Sequence, residues 1–352
     1  MKILLVRLRE IGDVVFTTPA VRAIRRRFPD AHISYVVEPA ASAIVEHNPH
    51  IDDLIVAPRT RGFSGLRSEL ALIRRLRAAA YDIAVDFHGG PRASILTWLS
   101  GAPVRVGYTI VGRSWMYTRL VDRPRALRPR HSVENQADLL AALDVGPPDR
   151  AADPVEMPLD DQVAAALARR LVQAGVQADH RLIVLHVSAG NPFRRWPAES
   201  FAAVAAGLAG RDPGRRIVVT AGPSDREAAD RVIAEAQARL GADRGRVVAC
   251  GEFSLTELRA LVDRAVLYIG GDSGPMHIAA TSHVPIVGLY GPTLPARSAP
   301  WRATLWPAEA IEVADLACRP CDQRSCRPGD FRCLIWIQPQ QVIEAAERAL
   351  AG

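Results

Sequence analysis

The segment with the most chemical content is residues 268–281, which read YIGGDSGPMHIAAT. An apolar run ends in two glycines and is followed by Asp272, Ser273, Gly274 and Pro275, and then by a helix-like stretch that contains His277. Two kinds of chemistry use such residues. Ser273 could be a nucleophile, or the turn could hold a phosphate against backbone N–H groups at the start of a helix.

The pattern disfavours the nucleophile. A hydrolase elbow has the form G-x-S-x-G, and Pro275 stands where the last glycine is required. An acid and a distant histidine must also follow the serine in that fold, but only His277 and His283 follow Ser273, and both are too near in sequence. A serine hydrolase is therefore disfavoured.

The phosphate interpretation fits the local chemistry better. Ser273 or Gly274 suits a helix N-cap, and Pro275 suits the first helical position. The glycines let a ligand approach the backbone, and the free N–H groups at the helix start attract anions. His277 could donate to a phosphate oxygen, although a packed histidine is the alternative. Asp272 is expected to orient the loop or to touch the ligand.

Three further strand–loop–helix junctions in the same half support a nucleotide site. One holds Ser188 and the pair Arg194-Arg195, which could clamp a diphosphate or could be surface and packed arginines. Another holds Asp225 and Glu227, which could bind ribose hydroxyls or could favour a helix N-terminus. The last holds Thr293. Four polar loops at one edge of one sheet suit a nucleotide better than a single loop does.

Short apolar runs alternate with stretches of helical periodicity along the whole chain. The strands are predicted at Ile3–Val6, Ile33–Val37, Leu54–Val56, Ile83–Val85, Val104–Gly107, Leu182–His186, Arg216–Thr220, Val247–Ala249, Val266–Ile269 and Ile286–Leu289. The helices are predicted at Val14–Phe28, Ala40–Glu46, Leu66–Ala79, Arg92–Leu99, Ala198–Leu208, Asp225–Leu240, Leu255–Val262 and Pro275–Thr281. Such βα alternation predicts two α/β domains, each with a doubly wound parallel sheet.

The composition predicts an ordinary two-domain protein with a basic first half. The chain has 352 residues and a net charge of +6, and residues 1–150 hold 22 basic and 15 acidic side chains. This excess favours an anionic partner, namely a phosphorylated lipid, a membrane surface or nucleic acid, unless the arginines are simply solvated helix faces. No apolar run approaches the roughly 20 residues of a membrane span, and the N-terminus lacks signal-peptide features. A cytoplasmic location is expected.

The motifs together resemble those of the bacterial heptosyltransferases, glycosyltransferase family 9. The similarity rests on Val6–Asp13 followed by Thr17–Ala20, on Asp86–Gly90, on Arg194–Pro197 and on Asp272–His277, and it runs over essentially the whole chain. It implies a GT-B architecture of two Rossmann-like domains that face a cleft. The predicted segments are an acceptor domain at 1–155, a nucleotide-sugar domain at 156–335, and a C-terminal helix at 336–352 that could pack back on the first domain.

The resemblance also implies an inverting transfer of heptose from ADP-L-glycero-D-manno-heptose to the inner core of lipopolysaccharide, on Kdo-lipid A or heptosyl-Kdo-lipid A. Asp13 matches the family's general base, and its alternative role is helix N-capping. The predicted donor-binding residues, taken from the four polar loops and from the matching motifs, are Ser188, Arg194, Asp225, Glu227, Asp272, Ser273, Gly274, His277 and Thr293. The implied acceptor-side residues are Thr17, Thr18, Asp86 and Arg92, the last two with a helix start and a surface charge as alternatives.

Several points stay open at this stage. The chain could use another nucleotide sugar or acceptor, or could bind a nucleotide sugar without catalysis. No cofactor is expected. The expected partners are the donor and a lipid acceptor, with a peripheral membrane contact, and nucleic acid is not expected. The sequence does not determine the oligomeric state. Cys318, Cys321, Cys326 and Cys333 form a cluster whose spacing is not a common zinc spacing, so packed thiols are favoured over a metal site.

Overall fold

The structure, a computed structural model, describes residues 1–59, 62–122 and 130–351. It divides the chain into two compact units. The first contains Met1–Pro158 and Trp301–Ala303, and the second contains Leu159–Pro300 and Thr304–Gly352. Gly352, the last residue of the predicted C-terminal segment, lies outside the described residues.

The first unit is built on a six-stranded parallel sheet of order β3-β2-β1-β4-β5-β6. Its strands are β1 (Lys2–Val6), β2 (His32–Val37), β3 (Asp53–Val56), β4 (Ile83–Asp86), β5 (Val104–Tyr108) and β6 (Arg119–Val121). Strand β1 lies between β2 and β4, with Val6 opposite both Val36 and Asp86. Four of the five residues of β1 are fully buried, because helices cover both faces of a parallel sheet.

The helices of the first unit connect these strands. They are α1 (Ile11–Val15), α2 (Thr18–Arg27), α3 (Pro39–Val45), α4 (Gly62–Ala78), α5 (Pro91–Leu99) and α6 (Ser132–Ala141). The sequence predicts one helix over Val14–Phe28, but the structure has two. Pro19 explains the break, since it has no N–H with which to continue α1 into α2.

The second unit repeats the design with a six-stranded parallel sheet of order β12-β11-β10-β7-β8-β9. Its strands are β7 (Arg181–His186), β8 (Arg215–Thr220), β9 (Val247–Val248), β10 (Leu267–Gly271), β11 (Ile286–Tyr290) and β12 (Ala308–Glu312). Read from the far edge, this is the same order as in the first unit. Both sheets therefore have the strand order of a dinucleotide-binding fold, and the expected Rossmann-like doubly wound domains are confirmed.

Eight helices of the described chain belong to the second unit. They are α7 (Asp161–Gln173), α8 (Ala198–Arg211), α9 (Arg226–Leu240), α10 (Leu255–Arg264), α11 (Gly274–Ala279), α12 (Pro295–Ser298), α13 (Arg332–Ile335) and α14 (Pro339–Ala351). Helix α10 begins with a capping box, in which Ser254 and Glu257 each bind the other's backbone N–H.

The last helix corrects one expectation. The C-terminal segment 336–352 was expected to pack back on the first domain. Instead, the buried side of α14, formed by Val342, Ile343, Ala345 and Ala346, belongs to the hydrophobic core of the second unit. Arg215 strengthens this docking with two hydrogen bonds to Glu347, at 2.6 and 2.8 Å. The amphipathic spacing of the segment predicts a helix but does not say which domain covers its apolar side.

The edge strands β6 and β12 were not predicted. The sequence of β6, RLV, is mostly exposed, and that of β12, AEAIE, alternates exposed and half-buried residues. Neither contains the buried apolar run that marks a central parallel strand, because edge strands are only partly covered. No helix of the described residues is long and apolar enough to cross a membrane.

Candidate functional site

Both sheets have a switch point, the place where the strand order reverses and where open α/β sheets bind ligands. In the first unit it lies between β1 and β4, and in the second between β7 and β10. The loops that follow these four strands contain most of the residues selected from the sequence. The hydrogen bonds and burial of each loop therefore show which of these side chains are accessible to a ligand.

Asp13 lies in the first turn of α1, in the loop-and-helix segment that follows β1. The helix begins at Ile11 with Glu10 as its N-cap residue, so Asp13 does not occupy the capping position that was its alternative role. Its Oδ2 atom pairs with Arg7, whose own side chain is buried and also donates to Phe87 O at 2.6 Å. The Asp13 side chain is 38% exposed, so a substrate could reach it.

The backbone at the start of this segment is in an uncommon conformation. Glu10 has a φ of 32°, which is costly for a residue with a side chain. Strain of this kind persists where surrounding contacts over-determine the backbone, and it concentrates at functional sites. The ion pair with Arg7 supplies one such contact, because it fixes the carboxylate of Asp13 relative to β1.

The expectation that Thr17 and Thr18 line the acceptor site is wrong. Both residues are completely buried. The Thr17 hydroxyl lies 2.6 Å from Val14 O and from the Tyr35 hydroxyl. The Thr18 hydroxyl donates to Val15 O at 2.8 Å and accepts from the N–H of Glu156 at 3.0 Å. Their hydroxyls satisfy the backbone between α1 and α2 and are not available to a ligand.

Asp86 also has a different role from the acceptor contact that was expected. It is completely buried at the end of β4. Its Oδ1 accepts the N–H groups of His88 and Gly89 at 2.8 Å each, and its Oδ2 accepts the Tyr117 hydroxyl at 2.6 Å. Burial raises the pKa of Asp86, and the hydrogen bonds from Tyr117 and the two N–H groups oppose that rise. Asp86 therefore shapes the turn that follows β4.

A glycine makes the Tyr117 contact possible. A Cβ atom at Gly107 in β5 would lie 2.3 Å from the Tyr117 ring, so only glycine lets the ring cross the strand and reach Asp86. The Tyr117 hydroxyl also lies 2.7 Å from Ser94 Oγ, which closes a buried network of three side chains. The sequence contains no pattern that joins these residues, since they come from three separate elements.

The turn shaped by Asp86 presents His88 to a cavity of about 280 Å³. The charged and titratable lining of this cavity consists of Arg9, Glu38, Arg59, Glu69, His88 and Arg92. Burial and the charges of Arg7 and Arg9 lower the pKa of His88 to about 4, so its ring is neutral at pH 7. Its buried Nδ1 has no hydrogen-bond partner in the described residues. The sequence analysis missed His88, although the Asp86–Gly90 motif contains it.

Arg92 lines the same cavity but is held by acids, so it is neither a free ligand contact nor a solvated surface charge. Its guanidinium donates to Glu69 at 3.0 and 2.7 Å, to Glu38 at 3.0 Å and to Pro58 O at 2.8 Å. Arg59 lies 3.9 Å from Glu38, while Arg9 has no acidic partner in the described residues. With three arginines and two glutamates, the cavity keeps a net positive charge.

In the second unit, the turn after β10 has the predicted local structure. Ser273 is the N-cap residue of α11, which begins at Gly274 and has Pro275 in its first turn. The Ser273 hydroxyl donates to Gly271 O at 3.2 Å and leaves the helix N–H groups free of a side-chain cap. Ser273 and Gly274 are half-buried, so an anion could approach them.

The side chains beside this turn are already paired with one another. Arg194 donates to Asp272 O at 3.1 Å and lies 3.5 Å from its carboxylate, and His277 Nε2 lies 3.4 Å from the other carboxylate oxygen. Burial alone would raise the pKa of Asp272, but the hydrogen bond and charge of His277 and the charge of Arg194 lower it. His277 is only 4% exposed, which favours its packed alternative over direct phosphate contact.

The loop after β7 reaches the loop after β8 through a second paired carboxylate. Asp225 accepts the Ser188 hydroxyl at 2.6 Å and lies 2.8 Å from Arg195. Asp225 is buried, whereas Glu227 is exposed in the first turn of α9. Arg194 and Arg195 thus bind two different acids, and Arg195 is neither a lone surface charge nor part of a preformed clamp.

A segment that the sequence analysis did not assign to the site holds Arg194 from the other side. Gln323 accepts from Arg194 Nε at 2.7 Å and from Asn191 Nδ2 at 3.0 Å. The same segment donates from Arg319 to Thr293 O at 2.5 Å, which fixes the half-buried Thr293 after β11. Lone glutamines have no sequence signature, so only the fold could reveal this contact.

The four clustered cysteines belong to this segment and line a cavity of about 190 Å³ together with Phe193 and Phe331. All are free thiols. Within residues 1–59, 62–122 and 130–351, no group of three or more histidine, cysteine, aspartate or glutamate side chains is arranged to hold a metal ion. Burial raises the pKa of the Cys333 thiol, as expected of a packed cysteine.

Comparison with known proteins agrees with this arrangement. Residues 69–331 match the family model described as glycosyltransferase family 9 (heptosyltransferase). Lipopolysaccharide heptosyltransferase 3 of Escherichia coli is 30% identical over 298 residues, which cover 82% of this chain and 83% of that protein. The crystal structure of the glycosyl transferase family 9 from Veillonella parvula has a TM-score of 0.87 at 29% identity and covers 99% of this chain and 97% of that one.

The E. coli ADP-heptose lps heptosyltransferase II has a TM-score of 0.79 at 22% identity, with 100% of this chain and 99% of that chain covered, and it supports the fold alone. The GT-B class expected from the motifs is confirmed. The two Rossmann-like sheets, the loops at their switch points and the matches over most of the chain lead to one conclusion. The chain belongs to glycosyltransferase family 9 and is a glycosyltransferase.

Proposed function

We propose that this protein transfers a heptose from ADP-L-glycero-D-manno-heptose to the inner core of lipopolysaccharide, with Asp13 as the general base. The observation that carries the proposal is the position of Asp13, a half-exposed carboxylate at the switch point of the first sheet with no helix-capping role. The function of one relative supports heptose transfer to lipopolysaccharide, since the E. coli protein that is 30% identical is a lipopolysaccharide heptosyltransferase.

The proposed reaction is a single displacement. The acceptor hydroxyl oxygen forms a bond to the anomeric carbon, the bond from that carbon to the terminal phosphate oxygen of ADP breaks, and the configuration inverts. The hydroxyl proton passes to Asp13. Arg7 binds Oδ2 of Asp13, so Oδ1, which has no partner in the described residues, is the atom proposed to take the proton.

The second unit is proposed to bind the donor. The N–H groups that open α11 are free of side-chain caps, and the guanidinium of Arg194 is held beside them by Gln323 and Asp272. Preorganised donors of this kind stabilise the charge that develops on a leaving diphosphate. We propose that Ser273 and Gly274 touch the donor directly, that Glu227 and Thr293 lie beside it, and that Asp272, His277, Ser188 and Asp225 position the loops.

The first unit is proposed to bind the acceptor through the cavity beside His88. Arg9 gives this cavity a positive charge without an acidic partner in the described residues, which suits the phosphate or carboxylate groups of an inner-core acceptor. We further propose that the enzyme works without a metal cofactor, in the cytoplasm and at the inner face of the membrane that holds such an acceptor. Activity that persists in excess EDTA would support a mechanism without a metal cofactor.

Replacement of Asp13 tests the proposal. D13N keeps the shape of the side chain and removes the base, so kcat for ADP release should fall about 10²–10⁴-fold while donor binding stays within twofold of wild type. E10Q, which changes the neighbouring exposed acid, is the matched control and should keep its activity. Wild-type turnover by D13N would remove Asp13 as the base.

A donor screen separates the alternatives. Thermal shift with ADP-heptose, UDP-sugars and GDP-sugars should show selective stabilisation by the ADP-sugar. Selective stabilisation by another nucleotide sugar would indicate a family member with a different donor. Donor binding without turnover on any acceptor would indicate a nucleotide-sugar-binding protein.

A further inference from the structure

Helix α4 has an exposed apolar side that the core of the first unit does not use. Phe63, Leu66 and Leu70 are 71%, 57% and 43% exposed. Their spacing of three and four residues places them on one side of the helix. Leu72 and Leu76 point to the opposite side and are buried in the core of the first unit. The helix is thus apolar on two sides, and the described chain covers one of them.

The same exposed side is strongly basic. By helical spacing Arg67, Arg74 and Arg77 lie among the three exposed apolar residues. The Arg67 guanidinium lies 4.9 Å from the centre of the Phe63 ring, and none of the three arginines has an acidic partner in the described residues. Glu69, the one acid in the sequence of α4, points elsewhere and binds Arg92 of α5 with both oxygens. The exposed side therefore has three positive charges and no negative charge.

Aromatic exposure continues on the neighbouring elements. Trp98 of α5 is 39% exposed and packs edge-to-face on Trp115, with ring centres 5.0 Å apart. Trp115 is 61% exposed, and Val111, in the same connection between β5 and β6, is 88% exposed. Tryptophan and tyrosine are enriched at the membrane–water interface, where their rings lie at the level of the headgroups.

We propose that this surface, formed by the exposed side of α4 with Trp98, Val111 and Trp115, docks on an anionic lipid bilayer. Interfacial helices insert their apolar side chains at the headgroup boundary, while arginines in and around that side bind lipid phosphates. Glu69 and Arg92, which join α4 to α5, also line the cavity beside His88. Docking would therefore bring that cavity next to the headgroups.

Charge decides between the bilayer and a second copy of the chain. A symmetric dimer through this surface would place Arg67, Arg74 and Arg77 against the same arginines of the other copy, with no acid on the exposed side to compensate them. A bilayer that contains phosphatidylglycerol instead presents negative charge over an area of any size. The inference depends on these surface residues and not on the proposed transfer reaction, so it can fail independently of that reaction.

Co-sedimentation with vesicles tests the proposal. The full chain is incubated with vesicles of 30 mol% phosphatidylglycerol in phosphatidylcholine or of phosphatidylcholine alone, at several salt concentrations. Wild type should bind the anionic vesicles, and its binding should fall with rising salt. Binding should weaken about fivefold for each arginine removed in R67Q/R74Q/R77Q. F63S/L66S/L70S should lose binding at all salt concentrations.

The controls use equally exposed residues of the second unit. R169Q/R239Q/R244Q removes three exposed arginines, and V172S/L305S removes two exposed apolar side chains, and both should bind vesicles like wild type. Equal thermal midpoints for all variants exclude unfolding as the cause. Binding that the α4 variants leave unchanged would overturn the proposal. The proposal would also be overturned if wild type bound no vesicles and instead dimerised with rising concentration in sedimentation equilibrium, with F63S/L66S/L70S abolishing that dimer.

Discussion

Replacement of the buried carboxylate at the end of β4 is the most direct test of how the first switch point is built. Asp86 accepts three short hydrogen bonds, two from the N–H groups of His88 and Gly89 and one from the Tyr117 hydroxyl. D86A leaves the N–H groups of these two half-buried residues without their acceptor. Each unsatisfied group costs about 1–3 kcal/mol, and removal of a buried charge returns part of that cost, so a loss of about 3 kcal/mol is expected.

D86N should cost much less, about 1 kcal/mol. The asparagine oxygen can accept the same two N–H groups, and its amide can donate to the Tyr117 hydroxyl, which in turn lies 2.7 Å from Ser94 Oγ and can donate there. D86N therefore keeps the size of the side chain and both backbone hydrogen bonds, whereas D86A removes the side-chain volume together with those bonds. Y117F, which removes the hydroxyl that donates to Asp86, should lower the free energy of unfolding by about as much as D86N does.

The assay is urea unfolding of the full chain, followed by tryptophan fluorescence, together with hydrogen exchange of the peptide that spans residues 84–96. Because a two-domain chain need not unfold in one step, the transition that D86A shifts is the one compared across variants. D86A should also speed amide exchange at residues 88 and 89, whereas D86N should not. A D86A chain within 0.5 kcal/mol of wild type, or a D86N chain as unstable as D86A, would refute the role assigned to this carboxylate.

Three further predictions concern Arg194, Gln323 and His88. R194A should raise the Kd of ADP about tenfold, measured by calorimetry. R194K should raise it by less, since a lysine keeps the charge but cannot bind Gln323 and Asp272 together. Equal Kd values for wild type and both variants would show that Arg194 does not contact the diphosphate. Q323A should raise the Kd of ADP by two- to fivefold through Arg194 alone, so Q323A should have no effect in an R194A background. The pKa of His88 is lowered to about 4, so the folded state binds its proton less readily than the unfolded state. The contribution of His88 to the free energy of unfolding should be present above about pH 6.5 and lost as the pH falls towards 4. H88Q should remove about 1–2 kcal/mol of that pH dependence in urea unfolding, a modest value because the ring is partly exposed.

Much of the fold follows from local patterns in the sequence. The apolar runs that become β1 and β7 are buried on both faces, and alternation with helical segments leaves a doubly wound parallel sheet as the natural arrangement. The turn at Ser273–Pro275 is equally local, because an N-cap residue and a proline in the first turn specify a helix start without tertiary contacts. Such features are predicted well because they depend on residues that are neighbours in the chain.

The roles of the polar site residues were decided by tertiary structure. The motifs indicate Asp86 as a ligand contact and Asp272 as a ligand contact or a loop-orienting residue. The fold buries both and gives them partners from distant elements, Tyr117 for one and Arg194 for the other. Whether a carboxylate meets a ligand or a neighbouring side chain depends on what the packed chain places within about 3 Å of it. That distance is set by how elements far apart in sequence pack together, and no local pattern encodes it.

The sequence by itself determined the βα order, the helix starts and the family motifs, since these depend on short-range propensity and spacing. Only the tertiary structure decided that Asp13 remains half-exposed while Thr17 and Thr18 do not, that α14 completes the second core, and that one side of α4 stays uncovered. Burial is a property of the whole packed unit, because each apolar side must find a partner elsewhere in the chain or remain at the surface.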